Sequence, residues 1–209
     1  RSAYKKAKAT DIRIALYLQR HPREREQKAR ATEDAIKGER IMSSISRIYV
    51  GIDPGASGGI AAIIHDKKDK VYLKGVWAWK DANTSSEIMN VLSGRPEIWI
   101  QALIENVHAF PSDGRSSAFK FGMNLGMWKG LLAAYKISYT SMIPQQWMKQ
   151  YGQVYKEKKE RKNQLKEWAY IIAKKLDYDG KITLKTADAL LIANCLSNNY
   201  LDEGEQIWL

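Results

Sequence analysis

Arg47-Ile48-Tyr49-Val50-Gly51-Ile52-Asp53-Pro54-Gly55-Ala56-Ser57-Gly58-Gly59-Ile60-Ala61-Ala62-Ile63-Ile64-His65 is the stretch whose reading decides the fold. It opens as an apolar, β-branched run, Arg47–Asp53, that reads as a buried strand. The run ends in a carboxylate, followed by a glycine-rich turn at 55–59 where glycine permits positive φ. A second apolar run, Ile60–His65, returns from that turn. The polar loop Asp66-Lys67-Lys68-Asp69-Lys70 leads to a third, Val71–Trp77. Connections this short pair neighbouring strands antiparallel.

Downstream of these three strands, helical and strand-like segments alternate. Ser85–Leu92 reads as a helix before the turn Ser93-Gly94-Arg95-Pro96, and Ile98–Glu105 reads as a fourth strand. Ser116–Tyr135 is a long helix and Ile137–Met142 a fifth strand. Pro144 opens a helical stretch containing Trp147, and Tyr155–Asp177 and Thr186–Leu196 are the last helices. The predicted class is α/β: a mixed five-stranded sheet, three antiparallel strands then two parallel, flanked by helices. Gly122, Gly126 and Gly130 share one face of the long helix. That face serves either close packing on the domain's own sheet or a contact between subunits. The seven tryptophans are scattered through these elements and read as core or interface.

Residues 1–42 differ from the rest and form a charged, helical or disordered extension to a domain spanning 43–209. Ala7–Leu18 suits one helix that Pro22 interrupts, and 23–40 is dense in charge. No apolar run approaches the 18 residues a membrane span requires, and the charged start is no secretory signal. The single cysteine, Cys195, excludes an internal disulfide framework and a CxxC zinc site. It reads as a buried, inert thiol in a reducing, cytoplasmic compartment. The net charge is +11, of which residues 1–41 carry +6. Such a balance suits a polyanionic partner through counterion release from phosphates.

Three carboxylates carry the chemistry. Asp53 ends the first strand and Glu105 the fourth, while Asp188 sits in Thr186-Ala187-Asp188-Ala189-Leu190-Leu191-Ile192-Ala193. Singly, each has an ordinary explanation: a turn, a surface strand end, a first-turn acid stabilised by the helix dipole. Together they lie where the mouth of one sheet collects them. Acids are rarely buried without a partner. A shared cation compensates their charge, which is the chemistry of Mg2+-dependent phosphoryl transfer.

Val-Gly-Ile-Asp53-Pro-Gly-Ala-Ser-Gly-Gly, Ile-Glu105-Asn-Val-His-Ala-Phe-Pro and Ala-Asp188-Ala-Leu-Leu-Ile-Ala, in that order, resemble the RuvC-type Holliday junction resolvases. The phage-encoded branch is the closer likeness, and it spans about residues 47–197. The resemblance implies an RNase H-like fold and a homodimer. It implies symmetric nicking of four-way DNA junctions with Mg2+, or Mn2+ as a substitute. The location is the cytoplasm, that of the host for a phage protein. The implied catalytic and metal-binding acids are Asp53, Glu105 and Asp188. His108 stands where the family places an aromatic side chain near the junction centre, with Phe110 two residues beyond, and either suits stacking on an unpaired base. Lys149 and Lys162 match its essential lysines loosely. Lys158 and Lys159 belong to a basic run, 156–162, that is either a phosphate-binding stripe or a solvated helix start. Ser116 and Ser117 cap the long helix and contact a phosphate.

One position departs from the pattern. Where the family usually has a further Asp or His, one turn before the final Asp, this chain has Lys185. A charged lysine cannot ligate Mg2+. Asp177 or Asp179 reaches in from the preceding loop, or water fills the coordination, or the lysine orients a phosphate. Lys185 also supports a second reading, a junction-binding protein without catalysis. A third is an actin-like-fold phosphotransferase, which shares the Asp-x-Gly start but needs a second phosphate-binding segment and a longer chain. A nuclease acting on flaps and forks as well as junctions is a broader form of the first reading.

Overall fold

The sheet is built outward from β1, Ile45–Asp53. β1 pairs antiparallel with β2, Gly59–Asp66, and parallel with β4, Trp99–Glu105. β3, Val71–Ala78, adds antiparallel to β2, and β5, Ser138–Met142, adds parallel to β4. The order is β3-β2-β1-β4-β5. This is the mixed arrangement the sequence predicts, three antiparallel strands and then two parallel ones. The computed structural model describes residues 21–23, 26–27, 30 and 45–202, except 56, 69, 80–81, 94–97 and 107–113.

Every residue of β2 is buried, as both-face coverage of a central strand requires. The helices are α1 (Ala82–Ser93), α2 (Arg115–Ala134), α3 (Pro144–Met148), α4 (Lys158–Lys175) and α5 (Ala187–Asp202). α4 starts three residues later than predicted because Glu157 caps it, its side chain accepting from the Glu160 N–H at 2.9 Å. It ends earlier because Asp177 turns left-handed at φ 52°. α5 runs past the predicted Leu196.

α5 lies directly on β1, and Gly51 makes that possible. A Cβ at Gly51 would run into the backbone of Ala189 and Ala193. A glycine inside a strand marks such a close approach. Ala187, Ala189–Ala193, Cys195 and Leu196 are buried with Tyr49, Ile63, Leu103 and Trp147 in one core. The thiol of Cys195 is pushed up to about 11 by burial, as an inert core cysteine should be.

Three expectations are corrected. Gly55, Gly58 and Gly59 do not adopt positive φ; among the described glycines only Gly152 does. They serve space instead. A Cβ on Gly59 would lie 2.5 Å from the Trp77 carbonyl oxygen and 2.8 Å from that of Lys185. Ser116 and Ser117 do not cap α2. Gly114 holds the cap position, and both serines sit exposed inside the first turn. Gly122, Gly126 and Gly130 do not pack on the sheet, since among the described residues Cβ atoms at these positions would meet nothing within 4 Å. Phe119 and Met123 on the same helix are 69% and 57% exposed.

Backbone contacts divide the chain into two units, Arg1–Ser44 and Ile45–Leu209. In the first, Pro22, Arg23, Glu26, Gln27 and Arg30 are helical and exposed. The rest of the charged extension lies outside the described residues. Among the described residues no helix is long and apolar enough to cross a membrane.

Candidate active site

Ile52 of β1 lies beside Ile104 of β4, so the next residues, Asp53 and Glu105, emerge side by side at the strand ends. Parallel pairing is what brings both carboxylates to the same edge. Asp188 joins them from the first turn of α5. The Gly51 contact fixes how closely that helix approaches β1.

The three acids feel one another. Burial pushes the Glu105 carboxyl up to about 8, with the charges of Asp53 and Asp188 adding to it. Burial and Asp53 push Asp188 up to about 7, against the pull of Lys162 and Arg161. Asp53 is raised by burial as well, opposed by the Gly55 N–H and by Lys162. The result is a cluster of carboxyls in a poorly hydrated place, each held toward its protonated form. Two cationic side chains at the start of α4, Arg161 and Lys162, face it electrostatically.

Each of two acids has one oxygen turned to the protein. Gly55 N–H donates to Asp53 Oδ1 at 2.9 Å. The Trp147 indole Nε1–H donates to Glu105 Oε1 at 3.0 Å. Among the described residues, no carboxyl oxygen of the three is both buried and without a partner. Among the described residues no group of three His, Cys, Asp or Glu is placed to hold a metal ion as it stands. What unites the trio is its position and charge coupling. The donor set itself, three hard carboxyl oxygens, suits a divalent cation that would take the place of their protons.

Lys162 acts on Asp53 and Asp188. Lys158 and Lys159 are exposed in the same first turn of α4, and Lys149 is exposed in the 3-10 turn Lys149–Tyr151 after α3. Ser116 and Ser117 lie on α2. His108 and Phe110 lie outside the described residues. Lys185 is exposed in the turn before α5, where its N–H donates to Thr183 Oγ1 at 3.3 Å. Asp177 and Asp179 are exposed, and neither is among the charges acting on Asp188. They do not supply the missing fourth acid.

Sequence reading missed three residues. Gly51 was legible as a glycine inside an apolar strand. Arg161 sat in the basic run, with no signal separating it from its neighbours. Trp147 had no signal at all, because its partner lies 42 residues away.

The fold has counterparts among solved structures. Thermus thermophilus RuvC in complex with Holliday junction substrate aligns with TM-score 0.50 at 17% identity, covering 75% of this chain and 96% of that one. The chain has the RuvC fold. A second Thermus thermophilus RuvC structure aligns at 0.49 and 20% identity, covering 74% and 95%. The yeast mitochondrial Holliday junction resolvase aligns at 0.43 and 16%, covering 70% and 76%. No protein-family model matches the sequence, and no curated protein does. The RuvC likeness therefore speaks for the architecture, an RNase H-like sheet with helices on it, and the chemistry is argued from the residues.

Proposed function

We propose that the chain is a structure-selective endonuclease that nicks four-way and other branched DNA junctions with a divalent cation, Mg2+ or in its place Mn2+. The observation that carries this reading is the charge-coupled trio Asp53, Glu105 and Asp188 at one sheet edge. The RuvC fold and the basic first turn of α4 support it. A bound divalent cation would activate a water and stabilise the leaving 3′ oxygen. The free oxygens of the three acids would hold that cation. Lys162 and Arg161 would bind the phosphate flanking the scissile bond, with Lys158, Lys159 and Lys149 on the adjoining backbone. The products would be ligatable 5′-phosphate and 3′-hydroxyl ends.

A homodimer belongs to the same proposal. Two sites related by two-fold symmetry match the symmetry of a four-way junction. The α2 face with Phe119, Met123 and the three open glycines is the surface it would use. A protein of this kind would work in the cytoplasm, that of the host if phage-encoded.

The test is nicking of a labelled four-way junction against duplex and Y-shaped controls, with Mg2+ and with EDTA. Asp53→Asn, Glu105→Gln and Asp188→Asn are each expected to abolish nicking and retain junction binding. Full cleavage by all three variants would sink the assignment. Lys185 favours a second reading, a junction binder without catalysis. Tight binding with no nicking at any Mg2+ or Mn2+ concentration would select it.

A further inference from the structure

Among the described residues, Trp147 is one of two tryptophans with no exposed surface, and its indole N–H is spent on a carboxylate. The chain path explains how it gets there. β5 ends at Met142 beside Glu105, and Asn106 N–H donates to the Met142 oxygen at 2.8 Å. Pro144 then starts α3 immediately, which folds Trp147 back over the strand end.

The ring is held from behind. Tyr151 meets it edge-on at 6.5 Å between centroids and stacks on Trp168 of α4 at 6.0 Å. The Tyr151 hydroxyl donates to the Leu191 carbonyl oxygen at 2.5 Å and accepts from Asn194 Nδ2 at 3.1 Å, both on α5. One aromatic strut thus links the strand bearing Glu105, the helix bearing Asp188 and the helix bearing Lys162.

We propose that Trp147 is a positioning residue for Glu105: its N–H holds Oε1 in place and leaves Oε2 as the oxygen offered to a divalent cation. An indole can only donate, so it cannot compete with the carboxylate for the ion. Partners of this outer kind orient a ligand, and their loss costs about 10–100-fold in metal affinity or activity. The inference rests on the nuclease reading.

The experiment measures Mn2+ binding to the full chain by electron paramagnetic resonance, alongside junction binding and nicking. Trp147→Phe is expected to weaken Mn2+ binding about 10–100-fold and to slow nicking, with metal-free junction binding unchanged. Phenylalanine also removes volume, so a second variant carries the benzothiophene isostere of the Trp147 indole. It fills the same space without the N–H. The same loss at an unchanged melting temperature supports the proposal. Unaltered Mn2+ binding and nicking by the isostere overturns the role of Trp147 and leaves the nuclease reading standing. A wild-type chain that neither binds Mn2+ nor nicks overturns both.

Discussion

Glu105 and Asp188 set the residue-scale behaviour. Their folded carboxyls titrate near 8 and 7, against roughly 4 in an unfolded chain. Between those limits the folded state binds more protons than the unfolded one, so stability falls as pH rises. The metal-free protein is therefore expected to lose melting temperature steadily from about pH 5 to about pH 8. Mg2+ should flatten that slope, because the cation replaces the protons. Calorimetric scans over this range, with and without Mg2+, check both parts. A melting temperature that rises with pH would contradict the burial of the trio. In Asp53→Asn the slope should shrink too, since Asp53 raises both neighbours.

At the scale of the element, two contacts carry consequences. The first is α5 on β1. Gly51→Ala puts a methyl group into the backbone of Ala189 and Ala193. Overpacking of this kind typically costs about 1–3 kcal/mol. Here it also shifts the helix that carries Asp188, so nicking should fall further than stability. Urea unfolding and a nicking assay on the same preparation separate the two. The second is α4, whose 18 residues hold seven Lys or Arg and two Glu. Lys159→Gln with Lys162→Gln should lower the slope of log affinity against log salt by about two. An unchanged slope would mean that this turn is only a solvated face. The capping Glu157 is left intact, so the helix start should persist in that variant.

For the whole molecule, the open face of α2 is the feature to test. Phe119 and Met123 stand exposed beside glycines that meet no described residue. Large apolar side chains grouped in this way mark association surfaces. Phe119→Glu with Gly126→Glu is expected to leave the fold intact and to halve the mass seen in sedimentation. It should also reduce paired nicking of opposite strands to single nicks. A wild-type chain that sediments as a monomer at micromolar concentration would remove the homodimer from the proposal.

The sheet was legible because strand order follows from local facts. Short turns force antiparallel neighbours, and intervening helices allow parallel ones. The carboxylates were legible because apolar flanks announce burial. Periodicity, however, says which residues share a face and not what that face meets. That is why the α2 glycines faced solvent rather than the sheet, and why the turn glycines made room rather than positive φ. Partners far apart in sequence were invisible for the same reason. By itself the chain determined five strands, their direction, and three acids at one edge, all consequences of hydrophobic pattern and chain connectivity. Only the tertiary structure decided how near α5 comes to β1, which cations face the trio, and that an indole from α3 holds one oxygen of Glu105. Those depend on side chains meeting across tens of residues, where packing rather than local preference makes the choice.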